Sequence, residues 1–277
     1  MTITNTINTS STQNTPLDEV LKRLQAQPEV DAILLAGATG TESPKPYSDY
    51  DILVVLNEMP VTPSLIITVV DTILTEVYFI KAATMDEMIA NPETVEANSL
   101  LGAFTSMVVR GEIAYDASGR LTRLREVAPQ THYDEILAHQ VYSSWYSLTY
   151  NHQQNLRYYH SLDDLYLDAL QCRMLYCISN CLSAYFTLRE LPWRGEKEAI
   201  RYLRQHDPVY LEQFKATVSA GDIHAQFPQY EKLVDLTLPV GMSLWADSYT
   251  VVQPHADLTE ASIRAHLDLW EGWVKKA

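Results

Sequence analysis

Two acids separated by one residue, Asp49 and Asp51, stand at the entrance to the apolar run 52–56. Side chains alternate along a strand, so the pair points to one face and can share one ion cluster. Magnesium takes hard oxygen ligands, commonly one or two carboxylates completed by substrate phosphates, and this pair suits a metal-bound triphosphate. Ahead of it, Leu34, Leu35 and Ala36 end a second apolar run at Gly37, and Gly37 and Gly40 flank Ala38 and Thr39. Glycines let backbone amides approach phosphate oxygens closely. An Asp-x-Asp alone is a weak signal. An apolar strand, a glycine turn, a loop and an Asp-x-Asp leading into another apolar strand are together much more specific.

This segment resembles the signature of the DNA polymerase beta-like nucleotidyltransferases: an apolar residue, Gly, Gly or Ser, a loop, then Asp-apolar-Asp/Glu-apolar. Gly37, Asp49 and Asp51 match it, while Ala38 stands where a Ser or Gly is usual, with Thr39 beside it as a substitute hydroxyl. The resemblance implies magnesium held by Asp49 and Asp51, with Gly37, Ala38, Thr39 and Ser48 around the triphosphate. It also implies a third carboxylate from a later strand, which completes the metal site or takes the proton of an acceptor hydroxyl. Glu76 is the preferred candidate, an acid inside a strand that otherwise wants apolar residues and whose burial is costly unless a cation compensates. Asp71 is the alternative, in a turn, where Asp serves local hydrogen bonding.

Thr75-Glu76-Val77 is similar to the corresponding strand of lincosamide nucleotidyltransferases, and the stretch from Arg110 to Asp116 resembles the strand and turn that close this domain in antibiotic-modifying members. Asp116 reads there as a turn residue, outside the site. Lys197, after Pro192 and Gly195, looks like the position from which related proteins aim a cation at the triphosphate; a solvated Lys in a first helical turn fits it equally well. The activity implied is magnesium-dependent transfer of a nucleoside monophosphate, AMP from ATP or from another nucleoside triphosphate, to a hydroxyl of a small molecule. The acceptor class would be an aminoglycoside- or lincosamide-like antibiotic. Two other readings stay open: a nucleotide-binding or regulatory protein of the same fold without transferase activity, and an enzyme that modifies another protein with a nucleotide.

Composition narrows the partners. Against 35 acidic residues stand 20 basic ones, and the net charge of −15 repels a polyphosphate backbone, so no long nucleic acid is expected. No window approaches the roughly 20 apolar residues of a membrane span, residues 1–14 are polar and unlike a signal peptide, and a cytoplasmic protein is expected. A homodimer stays open. Cys172, Cys177 and Cys181 share one apolar helical segment and read as buried small hydrophobes. Eight scattered histidines offer no zinc spacing.

The elements that must position the acids follow from pattern. Residues 1–14 read as a disordered tail, 15–128 as an α+β catalytic domain with a mixed sheet, and 129–277 as an all-helical acceptor-binding domain. Thr15 and Pro16 predict a helix start, with Leu17, Val20, Leu21 and Leu24 at helical spacing. Strands are predicted over 32–36 and 52–56, two more within 65–80 divided at Asp71-Thr72, and a last one over 112–115. Thr84 with Glu87 predicts a capping box, and a helix is expected over 94–107. In the second half, Leu167, Leu170, Met174, Cys177, Cys181 and Tyr185 form one buried stripe. Tyr142, Tyr146 and Tyr150 form another beside Trp145, read as core or as an acceptor pocket, and an amphipathic helix is predicted over 258–274. Asp164 and Asp168, one turn apart, fit an acceptor amine or, more simply, a solvated face.

Overall fold

A computed structural model describes residues 15–37, 49–58, 63–97, 99–130, 134–245, 252 and 259–274. The chain is α+β, a five-stranded mixed sheet followed by helices, and it divides into two compact units, Met1–Asp134 and Glu135–Ala277. The division falls beyond residue 128 because Ala128 is itself buried in the first unit and opens a short 3-10 turn, Ala128–Gln130.

The sheet of the first unit contains β1 (Val30–Gly37), β2 (Tyr50–Leu56), β3 (Leu65–Val70), β4 (Ile73–Lys81) and β5 (Glu112–Asp116), in the order β3-β4-β2-β1-β5. All neighbouring pairs are antiparallel except β2 with β4, which run parallel. β3 and β4 form a hairpin through Asp71 and Thr72, both at positive φ (50° and 66°), the geometry that matches the twist of paired strands. β3 is an edge strand, and its Leu65, Ile66 and Ile67 are exposed.

Alternation gives the sheet two apolar faces. Leu34, Leu53, Val55 and Ile80 pack beneath α2 (Ala82–Ala90), α3 (Leu100–Arg110) and α4 (Arg120–Val127). Ile33, Leu35, Ile52, Val54 and Val77 face the other way, against Leu17, Leu21 and Leu24 of α1 (Leu17–Gln25). Pro16, not Thr15, is the N-cap of α1. Thr84 lies inside α2, which continues directly from β4 at Lys81 without a side-chain cap. Residues 92–94 make a 3-10 turn, and α3 starts only after Ser99, whose Oγ accepts the amide of Gly102 at 3.0 Å. One buried charge ties these pieces together. Asp31, in β1, receives Arg120 of α4 at 2.9 Å and the Ser118 hydroxyl at 2.6 Å, and Arg120 also grips Asp86 of α2.

In the second unit, α5 (Ala138–Ser161) and α6 (Asp164–Thr187) pack with α7 (Glu196–His206), α8 (Pro208–Ser219) and α9 (Ile223–Thr237) around one core. The α6 stripe from Leu170 through Met174, Cys177 and Cys181 to Tyr185 is buried there. Cys172 is exposed, contrary to its expected burial: two residues past Leu170 it lies on the far side of the helix. A last helix, α10, spans Glu260–Val274. Among the described residues no helix is long and apolar enough to cross a membrane.

Candidate functional site

Parallel pairing of β2 with β4 decides which acids meet. In that register Asp51 is opposite Glu76, Leu53 opposite Tyr78 and Val55 opposite Ile80. Leu53, Val55 and Ile80 belong to the face under α2, α3 and α4, so Asp51 and Glu76 open onto that same face, at the second pair of the β2–β4 ladder. Asp49 lies two residues before Asp51, just ahead of β2, and its charge acts on Tyr78 of the same face. All three acids are half-buried.

The structure adds Tyr78 to the candidate site, a residue that sequence reasoning did not include there. Two residues past Glu76, it shares its face, its hydroxyl donates to Glu76 Oε2, and its ring meets Phe104 edge-on at 6.0 Å between centroids. Burial first, then the hydrogen bond to Glu76, then the charges of Glu76, Asp51 and Asp49 push this hydroxyl well above the ordinary tyrosine range. One proton is therefore held under the field of all three carboxylates. The signal was present in the sequence, as a hydroxyl at i+2 from a strand carboxylate.

Asp71 lies elsewhere. It is exposed in the β3–β4 turn, its amide donates to the Thr15 carbonyl at 3.1 Å, and the Tyr50 hydroxyl is raised first by burial and then by the Asp71 charge. Tyr50 alternates with Ile52 and Val54 and so belongs to the α1 face. Asp116, read as a turn residue, caps α4: its carboxylate accepts the amides of Leu121 and Thr122 at 3.3 and 3.0 Å. Gly37 ends β1, opposite Tyr50. Ala38, Thr39 and Ser48 lie outside the described residues. Lys197 belongs to the second unit, exposed in the first turn of α7. Asp164 and Asp168 are exposed on α6, whose cap is Asp163, accepting the Leu165 amide at 2.9 Å.

The carboxylates present are hard oxygen donors, the kind that suits hard divalent cations. Among the described residues no three His, Cys, Asp or Glu side chains form a closed cage, as a structural zinc or an all-protein site would need. Magnesium keeps waters and takes phosphate oxygens, and one or two carboxylates suffice for it. Asp49 and Asp51 meet that requirement with hard oxygen donors alone.

Neither a known protein family nor any curated protein matches the sequence. Among solved structures, a nucleotidyltransferase-like protein from Exiguobacterium sibiricum 255-15 is similar over 81% of this chain and 74% of its own, at 12% identity and a TM-score of 0.41. A likeness of that degree does not establish a shared activity.

Proposed function

We propose that this chain is a magnesium-dependent nucleotidyltransferase that moves a nucleoside monophosphate, AMP from ATP, onto a hydroxyl of a small molecule. The observation that carries the reading is the pairing of Asp51 with Glu76 near the start of the parallel β2–β4 ladder, with Asp49 two residues before Asp51. Asp49 and Asp51 would hold magnesium, which when bound supplies positive charge to the triphosphate oxygens. Glu76 is the base. With Oε2 taken by the Tyr78 hydroxyl, Oε1 is left to accept the acceptor's proton, and Tyr78 holds the carboxylate in orientation. The freed oxygen bonds to the α-phosphorus, the bridging bond to the β-phosphate breaks, and pyrophosphate leaves. An antibiotic acceptor of the aminoglycoside or lincosamide kind rests on the Thr75-Glu76-Val77 resemblance.

The test is pyrophosphate release with ATP, magnesium and a panel of hydroxylated small molecules. Glu76→Gln should lower kcat about 10²- to 10⁴-fold with the KM for ATP little changed, because a base acts in the transition state. Unchanged turnover in that variant removes Glu76 from the mechanism. Magnesium-dependent ATP binding without release for any acceptor would favour the binding-protein alternative.

A further inference from the structure

Arg173 of α6 is half-buried between neutral groups. Its Nε donates to Asn155 Oδ1 at 2.6 Å and its Nη2 to Asn151 Oδ1 at 2.8 Å, two amides one turn apart on α5. Asn155 is fully buried and its Nδ2 donates to Cys177 Sγ at 3.4 Å, so the amide that receives Nε is itself held. The guanidinium carbon lies 5.6 Å from the centre of the Tyr158 ring and 5.4 Å from that of Tyr176. Among the described residues no carboxylate pairs with Arg173, although the chain holds 35 acidic residues against 20 basic ones. A tie between two helices would need only the two donated hydrogen bonds and no charge, and a partly desolvated charge without a counter-charge is costly.

We propose that Arg173 anchors a binding site for a small oxyanion, a carboxylate or a phosphate group, on the hairpin of α5 and α6. A guanidinium carries its N–H donors in one plane, as a fixed fork. Nε and Nη2 share one edge of that plane, and the two amide oxygens occupy it. The next edge, Nη1 with the second Nη2 hydrogen, makes no hydrogen bond among the described residues. Its parallel donors match two oxygens of one carboxylate or phosphate. Because the amides already fix the side chain, an anion meets this fork without the cost of ordering it. The positive field is felt locally: burial raises the Tyr176, Cys177 and Tyr230 groups, and the Arg173 charge opposes burial at each. Half-burial weakens solvent screening and still leaves the group within reach of a solute. The inference is independent of nucleotide transfer.

Inorganic phosphate and acetate are the probes, titrated separately into the full chain with ¹⁵N-labelled arginines, at constant ionic strength set by sodium chloride. The Arg173 Nε signal, assigned by its loss in Arg173→Lys, should shift saturably with at least one of them, with a dissociation constant below about 10 mM. Arg204, exposed on α7, should drift without saturating. Saturation by phosphate alone assigns a phosphoryl ligand, by acetate alone a carboxylate, and by both the chemistry the two share. Asn151→Asp is the decisive variant. It sets a carboxylate where Nη2 already donates at 2.8 Å, neutralises Arg173 without a change of volume, and should weaken binding at least tenfold. It also moves the Arg173 signal and so assigns it if Arg173→Lys does not fold. An Arg173 signal that fails to saturate with either anion, or equal binding by Asn151→Asp, overturns the proposal.

Discussion

Neutralising Asp51 should stabilise the metal-free protein, which is the reverse of what most substitutions do. Asp51 and Glu76 are register partners on adjacent strands, and adjacent strands run about 4.8 Å apart, so their carboxylates repel across about 5 Å. At that distance the interaction is about 0.8 kcal/mol in bulk water and about 3 kcal/mol at an effective dielectric of 20. Both groups are half-buried, which places the repulsion near the lower figure, about 1 kcal/mol. Asp51→Asn keeps the side-chain volume and removes it. In chelator at low salt the variant should melt about 3 °C above wild type. High salt, with a screening length of about 3 Å at 1 M, should erase the difference. With magnesium and ATP in excess the order should invert. Wild type gains about 2.7 kcal/mol at a ligand concentration about 100-fold above Kd, and the variant loses most of that gain with its metal site. Differential scanning fluorimetry reads both arms. A variant that melts below wild type in chelator, or that gains as much as wild type from magnesium and ATP, refutes the reasoning.

Further outcomes follow from other residues. Only Cys172 should react with a thiol reagent in the native protein, since burial pushes the Cys177 and Cys181 thiols up; a count above one thiol before denaturation contradicts this. Gly102→Ala, at a helical position where alanine usually gains about 1 kcal/mol, should instead destabilise, because its Cβ would stand 2.2 Å from the Glu96 carbonyl and 2.8 Å from that of Ala97; a urea midpoint equal to or above wild type refutes the clash. Tyr185 is pushed up to about 12, by burial and then by donating to Asp207 at 2.9 Å. An unfolded tyrosine ionises near 10, so the contribution of Tyr185 is complete below that pH and is lost as pH rises from about 10 to about 12. Tyr185→Phe should therefore cost about 1 kcal/mol at neutral pH, with the gap to wild type closing across that window; a constant gap would count against it.

What the sequence made legible was what alternation and apolar runs control. The face that Asp51 shares with Leu53 and Val55, the hairpin at Asp71-Thr72 and the α6 stripe all follow from spacing alone. Helix starts were less legible, because the cue is a hydrogen bond and not a residue type. Thr84 and Glu87 have the composition of a capping box, yet the strand runs straight into α2 at Lys81; Ser99 is a true cap and was passed over. The partnership of Asp51 with Glu76 required the strand order and the parallel sense of β2 and β4, which no local pattern encodes. Tyr78 was hidden for the same reason. Its place in the apolar alternation is legible, while its hydrogen bond and the field upon it are not. Cys172 shows the converse error, a residue judged by its neighbours in sequence when the helix turns it away from them.

The edge strand β3 bears on how the protein behaves as a colloid. Leu65, Ile66 and Ile67 expose apolar side chains at the edge of the sheet, and no lysine or proline lies within Leu65–Val70 to discourage pairing with another sheet. Net charge takes over that task. At neutral pH a charge of −15 on every molecule opposes close approach. Toward the isoelectric point, near 4.8, that long-range repulsion fades while the edge is unchanged, so light scattering should rise on acidification before secondary structure is lost. Substituting lysine for Ile67 should hold the solution clear at the same pH, even though it moves the net charge closer to zero.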